Sequence, residues 1–322
     1  MEHRQTICAP RAPRGATLFS LVVAAHQISG SASPELTLLH LFGRSNAYIA
    51  SCFGRSICLP ESHFLGGDAG SLIKEASLFG LYAAAMPPAR ERRWLSALTK
   101  RSQRGPNPQQ FVTGMAGQQL QKRVMHCCPE CMRRDRAEFG APFWRQVHQI
   151  PGVDHCPEHR CVLWGACLDC GRSQGSERHW NLPSFSCPHC SGRRFAATTR
   201  RMTIGYAHHL HLVGKVCSDS SRFLRPEART EILTAAFGDP KEPELQAIID
   251  QLLAMWGCGS LEELSKDLGA KINAKFIAQV IRGSYPGINP LATLALLSLA
   301  GVALKKRGKI SKNGELLKDP CS

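Results

Sequence analysis

Four pairs of soft metal donors lie between residues 128 and 190: Cys128-Pro-Glu-Cys131, Cys156-Pro-Glu-His159, Cys167-Leu-Asp-Cys170 and Cys187-Pro-His-Cys190. Each pair encloses two residues, the spacing at which a tight turn aims both side chains at one ion, about 2.3 Å from each sulfur. Taken in order, the first two pairs make a set of three cysteines and one histidine with 24 residues between its halves, and the last two a four-cysteine set with 16 between. Four protein ligands fill a tetrahedron and leave no position for a reacting water. The expected chemistry is therefore structural: two closed Zn2+ sites per chain that staple a loop-rich region. Sequential pairing is the simplest assignment, and crossed pairing stays open. Cys127 could replace Cys128 only with a wider spacing to Cys131. Cys161 reads as a small buried residue rather than a ligand, His155 as a neighbour of the site or a surface residue, and geometry disfavours His189 as a ligand. Cys8, Cys52, Cys58, Cys217, Cys258 and Cys321 read as ordinary thiols.

Catalytic patterns are missing from the same sequence. A zinc deaminase needs His-x-Glu and a later Pro-Cys-x-x-Cys with an open metal position, and His155-Cys-Pro-Glu158 does not supply that order. There is no His-Glu-x-x-His and no phosphate-binding Gly-x-x-x-x-Gly-Lys-Ser/Thr. Asp135, Glu138 and Asp154 are scattered and suggest no acidic metal cluster. The chain is expected not to be an enzyme, and no residue is assigned a catalytic role.

The elements that must position the donors read as mostly α. Residues 15–100 carry short helices: Gly15 to Ser29; a second opened by Ser33-Pro34-Glu35-Leu36, with Pro34 in the first turn; and a face of Leu72, Ile73, Ala76, Phe79 and Leu81 ended by Pro87-Pro88. The run Ala16 to Ala25, preceded by Arg4, Arg11 and Arg14, imitates a signal peptide, but metal-type cysteine spacing and helical continuation to Ile28 favour a structural helix. Residues 101–110 read as a loop, and the chain turns helical again from 203, with a break at Asp239-Pro240-Lys241-Glu242-Pro243. The expected organisation is a helical region over 1–110, a double zinc-binding region over 111–200 and a helical region over 201–322. The longest apolar stretch, Leu291 to Leu304, is too short for a membrane span of about 20 residues.

The segment joining the halves of the first set is distinctive: Phe143-Trp-Arg-Gln-Val-His148-Gln149-Ile-Pro-Gly-Val153, then Asp154-His-Cys-Pro-Glu-His159 and Leu163. It resembles the TniQ family, which includes TnsD-type target selectors of transposons. Ala16-Thr-Leu-Phe-Ser-Leu-Val-Val and Leu41-Phe42-Gly43 look like the family's N-terminal landmarks, so the resemblance covers about residues 15–195. Ala16 departs from the pattern, which usually has an acidic residue near that position. The resemblance implies a target-site selector, an adaptor that recognises target DNA or a target-bound RNA-guided complex and recruits an AAA+ transposition regulator. The expected setting is the cytoplasm, with no membrane, and the oligomeric state is open, a homodimer included. The rival reading is a zinc-ribbon, helix-turn-helix transcription regulator. His148 and Gln149 are expected to hydrogen-bond the loop bridging the knuckles, Trp144 to pack beside the first zinc, and Arg145 to make either a core ion pair or a surface contact.

The charge agrees with a polyanionic partner. The chain carries 40 Lys+Arg against 25 Asp+Glu, a formal +15, which excludes an acidic binding protein. Arg90 to Arg145 holds 12 basic and four acidic residues, with Lys122, Arg123, Arg133, Arg134 and Arg136 around the first knuckle. Farther on, Ser260-Leu-Glu-Glu263 is a capping box, Leu261, Leu264 and Leu268 share a face, and Gly269 stops the helix. Asn273 opens a second helix with Phe276, Ile277, Val280 and Ile281 inward, and Asn289-Pro290 a third. This fits a helix-turn-helix that shows Lys275, Ala278, Gln279 and Arg282 outward, with Lys275, Gln279 and Arg282 as candidate nucleic-acid contacts. A plain three-helix packing unit is the alternative.

Overall fold

The computed structural model describes residues 10–43, 45, 69–99, 120–176, 179–218, 224–285 and 289–306. The loop read over 101–110, the thiols Cys8, Cys52, Cys58 and Cys321, and the basic residues Lys100, Arg101 and Arg104 lie outside them. Among the described residues the regular structure is helical, with isolated bridges in place of extended strands, so the chain is mostly α with loops held by Cys and His clusters.

The N-terminal run is a core helix. Thr17 caps α1 (Leu18–Ser29) by accepting the Ser20 N–H at 3.1 Å. Leu18 to Ala25 are all buried, as a helix apolar on every side requires. Ser33 caps α2 (Pro34–Phe42), with Pro34 in the first turn. The apolar face from Leu72 to Leu81 is divided between α3 (Ala69–Ala76) and α4 (Phe79–Ala83). The break falls at Ser77, whose Oγ donates to Ile73 O at 2.5 Å and accepts the Phe79 N–H at 3.1 Å, offering the backbone a local alternative to helix. Pro88 opens α5 (Pro88–Thr99) rather than only closing its predecessor, because its missing N–H costs nothing in a first turn.

After the donor region, α7 (Ile204–Ser218), α8 (Pro226–Phe237), α9 (Glu242–Trp256) and α10 (Leu261–Leu268) pack with α12 (Pro290–Lys306), and α11 (Ala274–Ile281) packs on α8 and α9. Helix α12 touches α7, α8, α9 and α10, and its residues from Leu291 to Ala300 are buried, Thr293 and Ser298 among them. Asn289 starts it, accepting the Ala292 N–H and donating to Lys271 O in the connection between α10 and α11. Helix α7 also packs on α4 and on the 3-10 turn Gln146–Gln149. One apolar core thus runs from Ala16 to Leu304.

Candidate metal centres

Helix α6 (Pro129–Phe139) starts inside the first pair: Cys128 is its cap, and its Sγ accepts the Cys131 N–H at 3.3 Å. The other three pairs share a different turn. The first residue of each donates its N–H to the carbonyl five residues on: Cys156 to Cys161 at 2.8 Å, Cys167 to Arg172 at 2.9 Å and Cys187 to Gly192 at 2.7 Å. The residue after each second donor returns an N–H to the first residue's carbonyl and has positive φ: Arg160 at 60°, Gly171 at 69° and Ser191 at 59°. Positive φ is uncommon for Arg and Ser, so the turn is held by its surroundings.

Two donor sets result, Cys128, Cys131, Cys156 and His159, and Cys167, Cys170, Cys187 and Cys190, with the donor atoms of each within 4.8 Å of one another. Their pairing is sequential. Tetrahedral zinc implies sulfur–sulfur edges of about 3.8 Å and sulfur–nitrogen edges of about 3.6 Å. The first set has Cys131–Cys156 at 3.8 Å, and His159 Nδ1 at 3.5 Å from Cys128, 3.3 Å from Cys131 and 3.5 Å from Cys156. The second has Cys167–Cys190 at 3.7 Å and Cys170–Cys187 at 3.6 Å. Both sets can hold a metal ion, and the spacings fit zinc. Hydrogen bonds from Cys128 and Cys131 hold the Cys156 thiol far below its usual range, and contacts with Cys131 and Cys156 push Cys128 up. Burial pushes Cys187 up, but the N–H groups of His189 and Cys190 and the neighbouring thiols outweigh it and leave it at about 7. Ligation needs the thiolate, and in each set one thiol, Cys156 or Cys187, is held below its ordinary value while neighbours such as Cys128 and Cys190 are pushed up.

The neighbours sort as follows. Cys127 turns away, its N–H on Trp164 O at 3.0 Å. Cys161 is half-buried rather than buried, and its sulfur lies 3.2 Å from Cys128 yet outside the four-donor set. His189 Nε2 lies 3.1 Å from Ser173 O. His155 is buried against the Tyr206 ring. Gln149 ties the segment together, accepting the His126 N–H and donating to His126 O and Arg145 O. His148 instead faces a donor, its Nε2 4.0 Å from Cys131 Sγ. Trp144 is core, but its indole N–H donates to Asn181 O at 2.9 Å, and its ring lies where Gly175 leaves room, beside the second half of the region. Arg145 makes the core ion pair, with buried Asp135.

Among the described residues, part of the basic stretch is paired with carboxylates. Arg133 pairs with Glu130, Arg134 with Glu158, and Lys122 with Asp154. Arg123 and Arg136 are exposed. On α11, Asn273 caps by accepting the Phe276 N–H at 2.8 Å, Lys275 is exposed and Gln279 half-buried. Ala278, expected outward, is buried, because α11 packs on both α8 and α9. Arg282 is exposed but engaged, donating to Asp239 at 2.7 Å and Pro240 O at 2.9 Å.

A clamp that the sequence did not reveal joins the first set to α10. Arg200 donates to Asp154 at 3.0 Å, pairs with Asp267 at 2.7 Å, and lies over the rings of Tyr206 and Trp256. Burial pushes its guanidinium down, and Asp267 and Asp154 more than offset this. Tyr206 OH donates to Gly152 O and accepts the Asp154 N–H. Gly152 has φ +80°, and a Cβ there would sit 3.0 Å from Asp267 O, so the approach requires glycine.

The first donor set, with the 143–153 segment between its halves, falls within a family match that runs over residues 9–163 and is described as TniQ. The chain carries a TniQ domain. The family is associated with target selection in transposition. The matched TniQ region ends before Cys167, so the second donor set and α7 to α12 lie beyond it. No curated protein sequence gives a significant match. Among the described residues, no helix is long and apolar enough to cross a membrane.

Proposed function

We propose that the chain is a target-selection adaptor for a transposon: it engages target DNA, or a guide complex on that DNA, and recruits an AAA+ regulator, with no turnover of its own. The observation that carries this reading is the TniQ match over residues 9–163, which contains the whole first donor set. Both donor sets are four-membered, and filled by Zn2+ they would have no open coordination position, in keeping with a structural role for two zinc ions per chain. Lys275, Gln279 and Arg282 are the proposed target-side contacts. The AAA+ contact is proposed on the N-terminal helices, where Ile28, Leu36 and Leu39 are exposed apolar side chains on α1 and α2. The three segments 1–110, 111–200 and 201–322 would then divide the roles of partner contact, zinc staple and target contact.

The test measures AAA+ recruitment and DNA binding separately in Leu36→Glu/Leu39→Glu and in a truncation beginning after Pro106. Loss of recruitment with DNA binding kept supports the placement. Retained recruitment in both removes it. Nuclease activity lost in Cys170→Ser with the fold intact would refute the adaptor reading.

A further inference from the structure

A cavity of about 390 Å3 opens beside the first donor set, on the side of Cys131 and Cys156. Its charged and titratable lining, the donors aside, is Arg14, Arg145, His148, Glu158, His211, Lys215 and the thiol Cys217. One wall is the turn at Arg14-Gly15, where Ala16 donates to Pro13 O at 3.1 Å. That turn is fixed to the 144–146 segment by Thr17 N–H to Trp144 O at 2.8 Å and Gln146 N–H to Gly15 O at 2.9 Å. The opposite wall is α7, which approaches closely because Gly214 faces Pro157; a Cβ on Gly214 would lie 3.3 Å from Pro157 Cβ. The walls are set by backbone contacts and stand preformed.

The chemistry of the lining is cationic. Arg14 and Lys215 stand exposed at its edge, Arg145 is paired with buried Asp135, and the one carboxylate of the lining, Glu158, is already bound by Arg134 in a two-pronged pair. Two buried nitrogens of the lining, Arg145 Nε and His148 Nδ1, have no hydrogen-bond partner. Buried polar groups are normally satisfied, so these atoms point to a missing ligand group. A phosphate group suits Arg145 Nε, because its oxygens accept from guanidinium N–H groups. Burial holds His211 below its usual range, and the fields of Lys215 and Arg160 act in the same direction.

We propose that this cavity is an oxyanion site that takes a phosphate group. This holds whether or not the chain selects transposon targets, since it uses only the cavity's own residues. The probe is inorganic phosphate, titrated calorimetrically into the zinc-loaded full chain and into Arg14→Ala/Lys215→Ala. Both replaced side chains are exposed and outside the donor sets, so the fold should be kept. Saturable 1:1 binding that weakens at least tenfold in the double variant, with the His211 imidazole resonances titrating at higher pH when phosphate is bound, is the expected result. A nucleoside monophosphate and a short duplex serve as competitors. Displacement by the monophosphate alone assigns the group to a small ester, and displacement by the duplex assigns it to a nucleic-acid backbone. Absence of saturable binding, or equal binding by both proteins with His211 unmoved, overturns the proposal.

Discussion

Replacing Arg200 by Ala should uncouple the first donor set from the helices that follow it. Arg200 side-chain exposure is 13%, against 23% for Asp154 and 33% for Asp267, so its ion pairs are neither surface pairs nor fully buried. Breaking a buried pair costs about 3–5 kcal/mol, whereas exposed pairs are worth about 0–1. Asp154 keeps Lys122 at 3.9 Å, which softens the loss on that side. Two ring contacts, at 5.1 Å to Tyr206 and 5.7 Å to Trp256, add about 0.5–1 kcal/mol each. The expected cost is about 3 kcal/mol, read from urea unfolding at saturating Zn2+. A double-mutant cycle with Asp267→Asn should return a coupling of about 1 kcal/mol for that pair alone. A loss below about 0.5 kcal/mol with no coupling would refute the idea that this clamp ties the metal region to α10.

Three further outcomes follow from the geometry. Elemental analysis should find two zinc ions per chain, and Cys170→Ser should retain about one and lose solubility, since closed zinc sites contribute on the order of 10 kcal/mol of folding free energy. His209 is fully buried against Tyr206 and Trp256, and burial lowers its pKa to about 3. The unfolded chain therefore binds the extra proton first: this stability is intact above about pH 6.5 and is lost as pH falls toward 3, by at most about 1.4 kcal/mol per pH unit, and His209→Leu should flatten that slope. Replacing Lys275, Gln279 and Arg282 with Ala should weaken duplex binding and reduce its salt dependence with helicity unchanged, whereas Asp239→Asn should strengthen binding by releasing Arg282. If neither moves affinity, α11 is a packing helix.

Local signals carried the sequence reading. The caps at Ser33, Ser260 and Asn273 and the donor pairs are short-range patterns with one physical meaning each, and the structure contains all of them. The sequential pairing was the simplest assumption and is the one found. What escaped notice was long-range. Arg200 meets Asp154 and Asp267 across 46 and 67 residues of chain, and no periodicity announces such a meeting. The inward turn of Ala278 depends on α11 being sandwiched by α8 and α9, while helical spacing considers one partner face at a time. The basic stretch from Arg90 to Arg145 reads as a phosphate surface when charge is tallied without partners, and Glu130, Asp135, Asp154 and Glu158 pair with four of its basic residues, Arg133, Arg145, Lys122 and Arg134. Positive φ at Arg160 and Ser191 did leave a trace, the fixed place just after the second donor, as Gly171 shows in the sister turn.

Target selection itself is tested most directly by mapping where the mobile element inserts in cells that carry or lack this chain, with the transposase and AAA+ regulator present in both. The account expects insertions concentrated at the target only when the chain is present, and dispersed or absent without it. An unchanged distribution of insertion sites would contradict it.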